Sequence, residues 1–321
     1  MIVTAPGKII LFGEHAVVYD QLGVASAINL YVRLTAEEAG ETIVTAGEVN
    51  FKVDRDELEE IKLEVDGLIA ENNYTVLREL STDKEFCLKH TLSRCISHKN
   101  YRIDIDCGIP ESAGLGSGSA VFACIGAIYK NDLADIQRIS NLGDIVAHGG
   151  IPSGIDSSVV VYGNYLSFKK SEGMKRLKIG AEPLIVIGNS GVKTSTAKTV
   201  VHVRENIDRF MPYIEKIGEI SKKGLSALQE KNLPALGKLM NDNQALLEKM
   251  ELSHPKLEEL IEIARANGAL GAKLSGKGCG GIIIALCKSQ QDQTKIKKEF
   301  ENAGFKAYSA ALGTKGLTKK E

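Results

Sequence analysis

The chain has 321 residues, 40 basic and 41 acidic, for a formal net charge of −1; 43% of residues are hydrophobic and 25% charged. That balance suits a soluble globular chain, with length for one large domain or two ordinary ones. It excludes the basic excess expected of a nucleic-acid or membrane-surface binder, so neither partner is expected.

The N-terminus, MIVTAPGKIILFGEHAVV, has no basic leader, and Lys8, Glu14 and His15 interrupt any apolar stretch, so no signal peptide is expected. In it, Pro6-Gly7-Lys8 abuts an apolar run; alone, Lys8 reads more readily as a solvated charge at a strand edge than as a functional residue. Ile103-Asp104-Ile105-Asp106 alternates as a half-buried strand does. A small-residue loop, Ile109 to Ala120, follows it and leads into an apolar helix over Val121 to Tyr129. Such a loop lets backbone amides approach a phosphate at a helix N-terminus, although it also serves as a tight strand–helix turn. A dinucleotide-binding reading of Gly114-x-Gly116, with Asp132 or Asp135 on the ribose, fails on the third glycine and on the missing strand–helix alternation.

Next comes His148-Gly149-Gly150-Ile151-Pro152-Ser153-Gly154-Ile155-Asp156. An aspartate there is either a turn former or a base presented from a rigid element to an alcohol. Val159 to Tyr162 and Tyr165 to Phe168 predict two strands joined by a hairpin at Gly163-Asn164. Lys169 to Gly173 reads as an exposed turn, which places a domain join near 170–185 and divides the chain into 1–175 and 176–321.

The second half opens helically. Ile207, Phe210, Met211, Ile214 and Ile217 recur at helical spacing, as do Leu236, Leu239, Met240, Asn243, Leu246 and Leu247, and Pro255 opens a further helix. Lys273-Leu274-Ser275-Gly276-Lys277-Gly278-Cys279-Gly280-Gly281 then precedes an apolar strand over 282–287. It nearly spells a Walker A loop, but Gly278 stands where the magnesium-binding hydroxyl belongs, and neither a preceding strand nor a following helix is expected. Another helix, a strand near Lys306 to Leu312 and a polar, frayed tail from Gly313 to Glu321 complete the chain. No apolar run approaches the ~18 residues that cross a bilayer. Cys87, Cys95, Cys107, Cys124, Cys279 and Cys287 form no C-x-x-C pair, which argues against a zinc site and a disulfide framework and for a cytoplasmic setting. The mixture of strands and helices predicts an α+β class with two domains.

Taken in order, PGK-x-ILFGEH, P-x-SAGLGSGSA, HG-x-x-PSGID and KLSG-x-G-x-GG resemble the GHMP kinases over roughly residues 2 to 287. The segments Phe12 to Tyr19, Asn189 to Thr196 with Val200 and Arg204, and Met240 to Leu274 are similar to the mevalonate kinase branch of that family. The resemblance implies a ribosomal-S5-domain-2-like N-terminal domain, a ferredoxin-like C-terminal domain, and transfer of the ATP γ-phosphoryl to the 5-hydroxyl of mevalonate with Mg2+ as cofactor. It implies catalytic roles for Asp156 and Lys8, and an ATP-phosphate loop of Pro110, Glu111, Ser112, Ala113, Gly114, Leu115, Gly116, Ser117, Gly118, Ser119 and Ala120. It also implies substrate contacts at Glu14, His15, Thr196 and Gly276; dimerisation is a family expectation. Two positions depart from the pattern. Gly118 replaces the serine that helps hold magnesium, and Ile145 stands where the family has a glutamate, with Asp144 beside it. The extra residue in HGGIPSGID brings Asp144 back into line, so the metal roles fall to Ser119 and Asp144. These departures leave room for a phosphorylated mevalonate as acceptor, with Lys193, Lys198 and Lys277 as candidate phosphate partners. A binding protein that has lost catalysis is the alternative from another class, and retention of both Lys8 and Asp156 counts against it.

Overall fold

The computed structural model describes the chain apart from Glu111, Ser112, Ile151, Ser195 and Glu321, and apart from the side chains of Thr196 and Ala197. The first half is built on a long antiparallel pair, β1 (Ile2–Phe12) and β2 (Gly23–Ala39), joined through a short 3-10 turn at Ala16–Tyr19. The hairpin of β3 (Thr42–Ala46) and β4 (Val49–Val53) follows. Three helices, α1 (Arg55–Ala70), α2 (Tyr74–Leu80) and α3 (Lys84–Ser93), then lead to β5 (Asn100–Cys107). Each of these helices starts at an Asp or Asn whose side chain accepts from a first-turn amide. β5 lies antiparallel to β2 and parallel to β3. The apolar α4 (Ser117–Tyr129), then α5 (Leu133–His148) and α6 (Ile155–Tyr162), pack behind this sheet, and β6 (Tyr165–Lys169) with β7 (Gly173–Leu177) extends it beside β2.

The second half runs β8 (Leu184–Asn189), α7 (Thr196–Glu205), α8 (Ile207–Gln229), α9 (Leu233–Lys249), α10 (Pro255–Ala266), β9 (Gly271–Ser275), β10 (Ile282–Leu286), α11 (Gln290–Asn302) and β11 (Lys306–Ala311). Its four strands lie in the order β11-β8-β10-β9 with every neighbouring pair antiparallel. Strand, helices, two strands, helix, strand is the ferredoxin-like pattern, here with three extra helices before β9. The second half has an apolar cluster largely its own, and a further cluster is shared between the halves. Ile185 and Ile187 of β8, Leu228 of α8 and Met240 of α9 belong to the same apolar cluster as Ile9, Leu11 and Phe12 of β1. The joint between the halves is therefore packed with shared core.

Three expectations are overturned. Val159 to Tyr162 is the end of α6, not a strand, so Gly163-Asn164 is a helix-to-strand turn. The β-branched run favours a strand locally, but all three valines are buried against elements of the first half, and tertiary packing decides such short apolar runs. The C-terminal tail is not frayed. It forms β12 (Thr318–Lys320), an edge strand antiparallel to β1, and Leu317 N donates to Val160 O and Val161 O of α6. Its polarity is that of an edge strand. Finally, a strand does precede the 276–281 loop, namely β9. The Walker A reading still fails because β10, not a helix, follows. Gly271 is explained by packing: a Cβ there would lie 2.0 Å from the Gly237 carbonyl oxygen of α9. Among the described residues no helix is long and apolar enough to cross a membrane.

Candidate active site

β1 carries Lys8 to the centre of the first half. Its backbone N–H donates to Leu115 O at 2.8 Å, which ties the strand to the small-residue loop. Its stem passes under Gly116, where a Cβ would lie 2.7 Å from Lys8 Cγ; Gly116 also holds a φ of 74° at the N-cap of α4. No side chain at this N-cap accepts from the first-turn amides, which leaves donors and the positive end of the helix dipole facing the loop. Ala113 and Leu115 are buried and pin the loop to the core, while Gly114 stands open. Glu111 and Ser112 lie outside the described residues.

The Lys8 ammonium reaches Asp156 Oδ1 at 3.0 Å. Asp156 sits in the first turn of α6, after Gly154, where the helix dipole favours a carboxylate. Its side chain is about a quarter exposed (24%) against 9% for Lys8, so the carboxylate faces the opening and the lysine supports it from below.

Behind this pair, Ser119 Oγ lies 2.8 and 2.7 Å from the two carboxylate oxygens of Asp144. Asp144 is buried, and burial together with the nearby negative Asp156 pushes its carboxyl up to about 8, against the opposing pull of Ser119 and Lys8. Ile145 instead packs into an apolar cluster with Val65, Leu77 and Phe122. Among the described residues no group of three acidic, histidine or cysteine side chains forms a complete metal cage. A single carboxylate, a hydroxyl and a neighbouring aspartate do suit a magnesium ion, which takes most of its ligands from phosphates and water. At Gly118 a Cβ would meet only the Phe122 ring, at 3.5 Å, so the position has room for the serine that the family pattern places there.

The expected acceptor contacts come apart. The Glu14 carboxylate is fully buried, ion-paired to the equally buried Lys273 of β9 and accepting from Asn243 Nδ2 of α9 at 3.3 Å. Its side chain is spent on joining the halves and does not line the opening. His15, in a left-handed turn with φ of 59°, donates from Nε2 to Lys277 O at 2.9 Å; burial lowers its pKa, in keeping with a neutral ring. The loop of Gly276 is held there as well, because Ser275 Oγ donates to Ile10 O at 2.7 Å and Gly281 N to Val192 O at 3.0 Å. Gly276 itself has open space about it. Thr196 opens α7 nearby, its side chain outside the described residues. Of the three lysines read as phosphate partners, Lys193 and Lys198 are exposed and Lys277 is half-buried. Lys273 and Asn243 were not singled out from the sequence as site residues. The available signals were a polar Asn243 inside an otherwise apolar helical stripe and a lysine between Ala272 and Leu274.

A small-residue loop at a helix N-terminus, a lysine–aspartate pair beneath it and a glycine-rich loop from the second half together suit a small-molecule kinase. The chain matches the family models "GHMP kinases N terminal domain" over residues 83–164 and "GHMP kinases C terminal" over 225–307. It belongs to the GHMP kinases. Relatives similar to it over nearly the whole chain include the mevalonate kinases of Pyrococcus abyssi, 33% identical over 92% of both chains, and of Thermococcus gammatolerans, 35% identical over 91% of both. Among solved structures, the Methanococcus jannaschii mevalonate kinase superposes with a TM-score of 0.80 at 25% identity, covering 98% of each chain.

Proposed function

We propose that this protein is a mevalonate kinase, transferring the γ-phosphoryl of ATP to the 5-hydroxyl of mevalonate. The observation that carries the reading is the Lys8–Asp156 pair, 3.0 Å apart directly beneath the Leu115–Gly116 turn of the phosphate loop. A primary hydroxyl is a poor nucleophile at neutral pH, and phosphoryl transfer asks chiefly for alignment and charge stabilisation. Asp156, facing the opening, accepts the hydroxyl proton as the oxygen attacks. Lys8 offsets the charge that develops on the transferring group. The loop and the first turn of α4 hold the ATP phosphates with backbone amides. Asp144 and Ser119 would hold Mg2+, which when bound neutralises charge on the phosphate oxygens. The two halves, 1–175 and 176–321, serve as the nucleotide and acceptor sides of the cleft, and a cytoplasmic setting is part of this reading.

A phosphorylated mevalonate is not favoured. The near-full-length relatives are named mevalonate kinases, and Lys193 and Lys198 are solvated. The test is ADP release by the purified protein with Mg2+ and ATP against mevalonate, its 3- and 5-phosphates, homoserine and galactose. Turnover with mevalonate above all others is expected; turnover confined to a phosphorylated acceptor, or to none, would refute the proposal.

A further inference from the structure

Lys277 carries a charge that no carboxylate among the described residues neutralises. It follows Gly276 in the loop between β9 and β10, and its ammonium donates to Thr194 O at 2.5 Å. Among the described residues it meets no carboxylate, while burial lowers its pKa. A half-buried ammonium is unfavourable unless an anion joins it, so its retention needs a reason that a solvated lysine does not.

Its surroundings say which anion. The Lys277 carbonyl accepts from His15 Nε2, and its ammonium lies on the segment between β8 and α7; neither neighbour belongs to the phosphate loop. The loop begins at Ser275, whose hydroxyl binds Ile10 O, two residues along β1 from Lys8. Lys8 in turn pairs with Asp156 at 3.0 Å, so the loop that bears Lys277 is tied to the strand that bears the reacting lysine. The lysine therefore borders the reacting pair from the side of the second half, away from the amides that would hold ATP.

We propose that Lys277 seats the carboxylate of the acceptor through a charge-assisted hydrogen bond, anchoring the end of the molecule remote from the reacting hydroxyl. This rests on the kinase reading above and adds to it a determinant for acidic acceptors. A contact to a group that does not change during reaction is made equally in ground and transition states, so its loss appears in KM and not in kcat. The experiment is steady-state kinetics of Lys277→Met and Lys277→Arg with mevalonate and with its uncharged amide. For Lys277→Met, the KM for mevalonate should rise about tenfold or more, with kcat and the KM for ATP within about twofold of wild type. The wild-type preference for acid over amide should disappear in Lys277→Met and survive in part in Lys277→Arg. An unchanged thermal midpoint shows that the variants are folded. Unaltered mevalonate KM in Lys277→Met would overturn the assignment, as would a fall in kcat or a rise in ATP KM alone, which would place the lysine on the phosphoryl group. A wild type that ignores mevalonate refutes the kinase reading itself, a separate outcome.

Discussion

Lys8 is useful only because of what Gly116 lacks: the open space above the lysine stem lets the ammonium pass beneath the loop to Asp156. Gly118 has no comparable constraint. Its Cβ would rest against Phe122 at an ordinary contact distance, so Gly118→Ser should fold with an unfolding free energy within about 1 kcal/mol of wild type. A larger loss in urea titration would mean that the loop has no room. His90 gives a pH prediction. It is buried in α3, donates from Nε2 to Leu142 O at 3.1 Å, and burial holds its pKa down at about 4. The unfolded ring binds a proton near 6.5 and the folded one does not until about 4, so stability is full above 6.5 and falls as pH drops through that window. The slope from this group approaches about 1.4 kcal/mol per pH unit. His90→Gln should remove about one proton's worth of it, read from urea midpoints between pH 7 and 4.5; an unchanged slope would contradict the assignment. At this scale Lys8, Asp156 and the loop were legible from motif order, because each lies within a short local pattern. Lys273 and Asn243 were not, because their partner Glu14 is more than two hundred residues away and no local pattern names it.

Among elements, the turn after β1 is held by the second half as well as by its own local hydrogen bonds. The Glu14–Lys273 pair is fully excluded from water, and burial of Lys273 is tolerable only because Glu14 opposes it. Removing one partner strands the other, so Glu14→Gln or Lys273→Met should each destabilise by about 3 to 5 kcal/mol. The double variant should recover much of that loss, since two neutral groups of similar shape leave no buried charge. Chemical denaturation of the cycle decides it; additive losses would show that the two charges do not act as a pair. Asn243, whose carbonyl oxygen has no hydrogen-bond partner among the described residues, marks where this polar joint interrupts the apolar stripe of α9. The helices of the second half were readable because their apolar periodicity runs for several turns. α6 was not, because eight residues with three consecutive valines carry no helical period and their burial is decided by the rest of the sheet.

Across the whole molecule, the last residues return to the first sheet and brace the element that bears Asp156. β12 pairs with β1, and Leu317 binds the end of α6, so the chain's end supports both partners of the Lys8–Asp156 pair. Deleting 317–321 should lower stability by roughly 1 to 3 kcal/mol and reduce kcat, read by thermal unfolding and turnover. A truncated protein with unchanged melting and rate would show the strand to be dispensable. A polar sequence at a chain end gave no sign of this, because an edge strand needs one apolar neighbour at most and its partner lies at the other terminus.

The measurement that bears most directly on the account is mevalonate-dependent ADP release by wild type and Asp156→Asn at saturating ATP and Mg2+. Loss of the proton acceptor should lower kcat by about 10² to 10⁴ with ATP affinity retained. An Asp156→Asn variant that turns over mevalonate at the wild-type rate would contradict the central claim that the Lys8–Asp156 pair beneath the phosphate loop performs the transfer.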